Sequence, residues 1–207
     1  AEEVLTPVDV MFAFDATGSM GDEIDEVKAS ATNIMSDIRA VIAESRFGLA
    51  SFSDYLNYYA DYCGYSDQYG DPLVPEWPYR LDQALTTNIP TVQGAIGALT
   101  LGHGKDEAED YTRALWELGV NDVADVGWRA DATKIVIMFG DAPTHDCNFY
   151  APTTWGGDPG PDGTAGTRDD LDFEAVVAQL AAEDIIVLSV DSLNEPGSDA
   201  EKSFKHM

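Results

Sequence analysis

The feature that most constrains the fold of this chain is a set of short, mostly apolar runs separated by stretches of helical periodicity. The runs at 8–14 (VDVMFAF), 134–139 (KIVIMF) and 185–190 (IIVLSV) have the length and composition of strands that are buried on both faces. Further strands are predicted at 46–52 and at 79–85, and helices at 22–43, 91–99, 108–118 and 173–183. This alternation predicts an α/β fold, with a doubly wound, mostly parallel sheet flanked by helices and one antiparallel edge strand.

Nothing in the sequence divides the chain into separate units. Neither an internal repeat nor a flexible linker interrupts its 207 residues, and 44% of them are hydrophobic, which is enough for a packed core. We therefore expect a single domain over residues 1–207.

The charge of the chain restricts its partners. There are 38 acidic and 11 basic residues, so the net charge is −27. Nucleic acids and anionic lipids are bound through lysine and arginine, and such a surface repels them. The sequence also lacks an apolar run of the roughly 20 residues that a membrane-spanning helix requires. We expect no nucleic-acid partner, no direct membrane insertion and an affinity for cations.

Oxygen-bearing side chains cluster where the predicted strands end. The first strand is followed by Asp15-Ala-Thr17-Gly-Ser19, the strand at 134–139 is followed by Asp141, and a second acidic segment occupies 105–109. Ligands bind doubly wound sheets at the carboxyl ends of the strands, and oxygen ligands without cysteine or histidine suit Mg²⁺ or Ca²⁺. Each segment alone is equally typical of a strand end or a helix cap, but the three together predict a metal site.

These segments resemble the von Willebrand factor A domain, and most closely the I-like domain of integrin β subunits. The family's DxSxS signature corresponds to Asp15-x-Thr17-x-Ser19, with threonine replacing the first serine, while Glu109 and Asp141 match its second and third metal loops. The segments at 135–145 and 173–190 are also similar, and the resemblance extends over roughly residues 8–192. It implies a non-enzymatic adhesion or protein-binding module that coordinates an acidic residue of its partner through a divalent cation.

The resemblance also implies a set of metal ligands. The main site would hold Mg²⁺ (or Mn²⁺) with Asp15, Thr17, Ser19, Glu109 and Asp141. An adjacent Ca²⁺ site would use Asp22 and Glu23, although acids in a first helical turn also occur without metal. A third site would use Asp106, Ala108 and Glu109. Here the chain departs from the family, which usually has asparagine at Gly104 and proline at Ala108.

The same resemblance implies an extracellular or cell-surface location within a larger surface protein. The family's sixth strand and closing helix have no counterpart here, so we expect either a fragment of the domain or a trimmed sheet. Tyr58, Tyr59, Tyr62 and Tyr65 occupy the loop that sets ligand specificity in integrin β, or they pack against one another. Cys63 and Cys147 are expected to form a disulfide between two long loops; two buried thiols are the alternative.

Two other functions fit parts of the sequence. The segment at 15–18 is similar to the phosphorylation motif of P-type ATPases, and Gly140-Asp141 with Asp146 is similar to a motif of haloacid-dehalogenase-like phosphotransferases. In that hypothesis Asp15 is the nucleophile, and Lys105 or Lys134 binds phosphate. The hypothesis leaves Ser19 and Glu109 without a role. A metal-stabilised structural domain is the third alternative.

Overall fold

Five strands form one mixed sheet at the centre of the molecule. The computed structural model describes residues 6–56, 70–71, 73–105, 107–146, 158, 160, 166–192 and 196–207. The strands are β1 (Val8–Asp15), β2 (Ser45–Phe52), β3 (Arg80–Thr86), β4 (Thr133–Gly140) and β5 (Ile185–Asp191). Their order is β3-β2-β1-β4-β5, and every pairing is parallel except that of β3 with β2. The predicted α/β class and the antiparallel edge strand are confirmed.

Helices cover both faces of this sheet. They are α1 (Ile24–Val41), α2 (Ile89–Ala98), α3 (Tyr111–Trp116), α4 (Val123–Val126), α5 (Phe173–Ala182) and α6 (Asp199–His206). A 3₁₀ turn at Gly18–Gly21 precedes α1, and a π-helical segment at Glu117–Asn121 continues α3. Among the described residues, none of these helices has the length and apolar character needed to cross a membrane.

Tertiary contacts move some helix boundaries away from the predicted ones. The helix predicted from residue 108 begins instead at Tyr111, because Glu109 forms a backbone bridge with Thr144 and its N–H donates to the carbonyl of Pro143 at 2.9 Å. The helix α4 was not predicted, since four residues are too few to show a periodicity.

The core consists of two layers, one on each face of the sheet. Along β1, Val10, Phe12 and Phe14 pack on the side of α1 and α2, whereas Met11 and Ala13 pack on the side of α3, α5 and α6. This alternation follows from the two-residue period of a strand. All five side chains are fully buried, so β1 is the central element of the domain.

A buried ion network joins the elements at the amino end of β1. Asp9 is fully buried and accepts hydrogen bonds from Arg46 Nη2 at 2.8 Å and from Arg129 Nη2 at 2.6 Å. Burial alone would raise the pKa of Asp9, but the two guanidinium groups outweigh it and hold the pKa below its usual value.

The strand order also creates a crevice at the other end of β1, where the parallel strands have their carboxyl ends. The chain passes from β1 to β2 on one side, and β4 lies on the other side of β1. The connections that follow β1 and β4 therefore diverge, and they leave a depression between the carboxyl ends of these two strands. We refer to this depression as the crevice.

Candidate functional site

The loop that follows β1 is organised around the carboxylate of Asp15. This side chain is fully buried, and its Oδ1 accepts hydrogen bonds from the Thr17 backbone N–H at 2.9 Å and from Thr17 Oγ1 at 2.6 Å. Such an aspartate-centred turn reverses the chain within a few residues and holds the Thr17 hydroxyl against the carboxylate. Thr17 is buried, whereas Ser19 is exposed to solvent.

Hydrogen bonds connect this loop to the end of β4. Thr17 Oγ1 lies 3.1 Å from Ser19 Oγ, and Ser19 Oγ donates to Asp141 Oδ1 at 3.0 Å. Phe14 and Phe139 are paired in register, so Asp15 and Asp141 follow neighbouring positions of adjacent strands. The structure thus brings together four of the predicted residues, Asp15, Thr17, Ser19 and Asp141, as one chain of oxygen atoms.

A buried tyrosine that the sequence analysis missed completes the surroundings of Asp15. The Tyr111 hydroxyl donates to Asp15 Oδ2 at 2.5 Å and accepts from the backbone N–H of Ala142 at 3.3 Å. A Cβ atom at Gly140 would overlap the Tyr111 hydroxyl, so this position of β4 requires glycine. The only indication of this contact in the sequence was the position of Tyr111, two residues after Glu109 and within a predicted helix.

Electrostatics in the crevice favour a cation. Burial, together with the negative charge of Asp141, raises the pKa of Asp15 to about 7. Burial likewise raises the pKa of Asp141, and the neighbouring carboxylates of Glu23 and Asp191 add to this effect although Ser19 opposes it. Carboxylates crowded in this way repel one another when ionised, and a bound cation would relieve the repulsion.

The predicted adjacent site lies at the start of α1. Asp22 is exposed, whereas Glu23 is half-buried, and its Oε2 is buried without a hydrogen-bond partner. A buried carboxylate oxygen without a donor is costly, and a divalent cation would compensate it. The residues around the crevice therefore fit a hard cation: carboxylate and hydroxyl oxygens predominate, and one of them still lacks a partner.

The loop at 102–104 connects the crevice to Glu109. Gly18 N–H donates to the His103 carbonyl at 3.1 Å, and a Cβ atom at Gly104 would lie 2.9 Å from Glu109 Oε1. Glu109 is 3% exposed and Ala108 is fully buried, while Asp106 lies outside the described residues. The structure thus places Glu109 against the loop that borders the crevice.

Glu76 holds the other side of that loop and was not predicted. Its Oε1 accepts hydrogen bonds from the backbone N–H groups of His103 at 2.9 Å and Gly104 at 3.0 Å, and its Oε2 is buried without a partner. No sequence pattern indicates this contact, because Glu76 belongs to an irregular segment rich in proline.

The predicted ligand-binding tyrosines and both cysteines cannot be placed. Tyr58, Tyr59, Tyr62, Tyr65, Cys63 and Cys147 lie outside the described residues. The neighbouring Tyr55 is described and is buried, and its hydroxyl accepts a hydrogen bond from Arg113 Nε at 2.6 Å. This tyrosine therefore belongs to the interior of the domain.

The geometry removes one of the two lysines named in the phosphotransferase hypothesis, Lys134. Lys134 pairs in register with Asp9, and Asp15 lies six positions further along β1, so Lys134 begins about 20 Å from the crevice. Its Nζ donates to the carbonyl of Glu183 at 2.9 Å. Asp146 accepts from the backbone N–H of Phe173 at 2.7 Å, at the start of α5. Thus Lys134 lies too far from Asp15 to bind a phosphate there.

Comparisons with known proteins agree with this fold. The family model for the integrin beta chain VWA domain matches residues 3–148. Integrin beta-4 of Mus musculus is 22% identical over 151 residues, which are 70% of this chain and 8% of that protein. Integrin beta-5 of Mus musculus is 23% identical over 147 residues, 67% of this chain and 18% of that protein. The chain therefore spans only a small part of these relatives.

A solved structure supports the same architecture. Proximal thread matrix protein 1 from the mussel byssus superposes with a TM-score of 0.58 at 16% sequence identity, over 92% of this chain and 39% of that chain. At this identity the likeness concerns the fold alone. Since the family model covers residues 3–148, more than half of the sequence, this chain belongs to the integrin beta chain VWA domain family.

Proposed function

We propose that this chain is a metal-dependent protein-binding module of the adhesion type. The observation that carries this proposal is the hydrogen-bonded series Asp15, Thr17, Ser19 and Asp141 at the crevice, whose member Ser19 is exposed to solvent. Membership of the integrin beta VWA family supports the same function.

The proposed ligands of the main cation, Mg²⁺ or Mn²⁺, are Asp15, Thr17, Ser19, Glu109 and Asp141. Flanking Ca²⁺ ions would be held by Asp22 and Glu23, and by Asp106, Ala108 and Glu109. When bound, the main cation supplies a positive charge and an open coordination position for a carboxylate. The chain's own residues orient the site: Tyr111 fixes one oxygen of Asp15, and Thr17 fixes the other.

The proposed partner is a protein with an exposed aspartate or glutamate. An open coordination position beside the two neutral hydroxyl ligands would let a carboxylate oxygen of the partner bind the cation directly. The net charge of −27 opposes an acidic partner at long range, but physiological salt screens this repulsion beyond roughly 8 to 10 Å. The proposed location is extracellular or on the cell surface, as part of a larger protein.

Metal dependence of stability is the first test. The melting temperature should be compared in chelator and in millimolar Mg²⁺ or Ca²⁺ for the wild type, Ser19→Ala and Ser36→Ala. At 100 times its dissociation constant the cation stabilises by about 2.7 kcal/mol, which corresponds to roughly 5 to 10 °C in a domain of this size. Ser19→Ala should reduce this rise, whereas Ser36→Ala, an exposed change on α1, should not. Identical melting with chelator and with metal would refute the proposal.

A displayed library of cyclic peptides with one fixed aspartate is the second test. Peptides enriched in Mg²⁺ should lose binding in chelator, after replacement of their aspartate by asparagine, and against Ser19→Ala. Binding that survives all three changes would show that the domain recognises partners without the cation. Metal stabilisation with no peptide enriched would favour the structural-domain alternative.

A further inference from the structure

We propose that Asp54, Asp110 and His145 form a second metal site, selective for a divalent transition-metal ion such as Zn²⁺. One donor atom from each residue lies within 4.8 Å of the other two. The exposed fractions of these residues are 0%, 0% and 3%, so the donors converge inside the protein. This proposal goes beyond the function of the crevice and does not depend on it.

Backbone hydrogen bonds hold the three donors in place. Asp54 follows β2, Asp110 precedes α3 and His145 follows β4. The N–H of Asp110 donates to the carbonyl of Ser53 at 3.2 Å, and the N–H of His145 donates to the carbonyl of Glu109 at 3.2 Å. Each donor residue or its immediate neighbour is thus joined to another segment, so the fold fixes the three backbone positions from which the donors extend.

The distances match those around a small metal ion. His145 Nε2 lies 3.1 Å from Asp54 Oδ1 and 4.0 Å from Asp110 Oδ1. Two ligands of a tetrahedral ion with bonds of 2.0 to 2.2 Å are separated by about 3.3 to 3.6 Å. The first observed separation is slightly shorter than this range and the second is slightly longer, so small side-chain shifts suffice to coordinate an ion.

The local charge also favours an ion of charge +2. Asp54, Asp110 and the neighbouring Asp158 are all fully buried. Arg113 supplies one positive charge, which Asp110, Asp158 and Glu117 share. Buried carboxylates are stabilised by nearby positive charge, and a divalent ion coordinated by Asp54 and Asp110 would supply it.

Histidine distinguishes this site from the crevice. Mg²⁺ and Ca²⁺ take oxygen ligands almost exclusively, whereas an imidazole nitrogen favours Zn²⁺ and related transition metals. Three protein ligands leave a fourth position for water or for another side chain. The chain would therefore carry an oxygen-only site and a mixed nitrogen and oxygen site with different metal preferences.

Calorimetric titration of the chelator-treated chain with Zn²⁺ tests this proposal. The wild type should bind, and His145→Gln should lower the affinity by at least about 100-fold, because loss of a direct ligand exceeds the 10- to 100-fold effect of outer-shell partners. Two variants should retain Zn²⁺ binding: His103→Gln, which changes an exposed histidine, and Asp15→Asn, which changes the crevice. Unchanged affinity in His145→Gln, or no binding by the wild type, would overturn the proposal; the contact of His145 with Asp54 would then be a hydrogen bond of the interior.

X-ray absorption at the zinc edge provides a test that does not depend on the folding of a variant. Zinc bound to the wild type should show one imidazole nitrogen among oxygen ligands. A first shell without imidazole would overturn the proposal even if zinc binds. Failure of Mg²⁺ to stabilise the crevice would refute the proposed function alone, because the two sites share no ligand.

Discussion

The hydrogen bond between Tyr111 and Asp15 allows a quantitative prediction for Tyr111→Phe. The hydroxyl donates to Asp15 Oδ2 at 2.5 Å, and both residues are fully buried. A hydrogen bond to a charged group contributes about 1.5 to 3 kcal/mol, and one between neutral groups about 0.5 to 1.5 kcal/mol. The cost of removing the hydroxyl therefore depends on whether Asp15 is ionised.

The ionisation of Asp15 changes within an accessible pH range. Its pKa is raised from 3.8 to about 7. In the folded, metal-free protein Asp15 is therefore protonated at pH 5 and mostly ionised at pH 8. In the unfolded chain Asp15 is ionised at both pH values. Because the folded state binds more protons, Asp15 lowers the free energy of unfolding by about 2 to 3 kcal/mol between pH 5 and pH 8. Tyr111→Phe should enlarge this decrease, since it removes a donor that stabilises the ionised form.

Urea unfolding in chelator measures this effect. Tyr111→Phe should lower the free energy of unfolding by about 1.5 to 3 kcal/mol at pH 8 and by about 0.5 to 1.5 kcal/mol at pH 5. In an Asp15→Asn background the two losses should become equal. Tyr79→Phe is the matched control, because its hydroxyl bonds Asp122 at 2.9 Å outside the crevice. A loss at pH 8 no greater than at pH 5 would refute the assigned role of Tyr111.

Four further substitutions test the fold and the crevice. Asp9→Asn leaves two partly exposed arginines without their carboxylate and should cost about 1.5 to 3 kcal/mol in urea unfolding. Folding lowers the pKa of Asp9, so the stability that Asp9 provides should persist as the pH falls to about 3.8, the ordinary pKa of an aspartate, and should decline below it. Acid titration followed by circular dichroism measures this decline. Gly140→Ala should displace Tyr111 and cost about 1 to 3 kcal/mol, whereas Gly97→Ala, where a methyl group meets open space, should stabilise by about 0.5 to 1 kcal/mol in the same assay. Ser19→Ala should change the metal-free stability by less than about 0.5 kcal/mol, so its effect on Mg²⁺ binding by calorimetry can be interpreted directly.

Local periodicity was sufficient to predict most of the fold. The apolar run that became β1 ends within one residue of its predicted end, and so do those that became β4 and β5. β1 is buried on both faces, and such a strand is apolar at nearly every position. The prediction that the run at 185–190 is buried on both faces was wrong, because β5 lies at the edge of the sheet and alternate residues of it are exposed. The helix predicted from residue 108 was displaced to Tyr111, because the bridge between Glu109 and Thr144 depends on a loop more than 30 residues later in the chain.

For the crevice, the local sequence already predicts which oxygen-bearing side chains stand at the strand ends. Asp15, Thr17 and Ser19 are close in sequence, and Asp141 follows the strand that becomes the neighbour of β1, so the parallel sheet alone brings them together. Three other features arise from tertiary packing: Tyr111 fixes Asp15, Glu76 holds the loop at 102–104, and Asp54, Asp110 and His145 converge. These contacts join segments that have no shared periodicity. Their formation depends on how helices and loops pack over the sheet, and that packing is set by the whole core rather than by neighbouring residues.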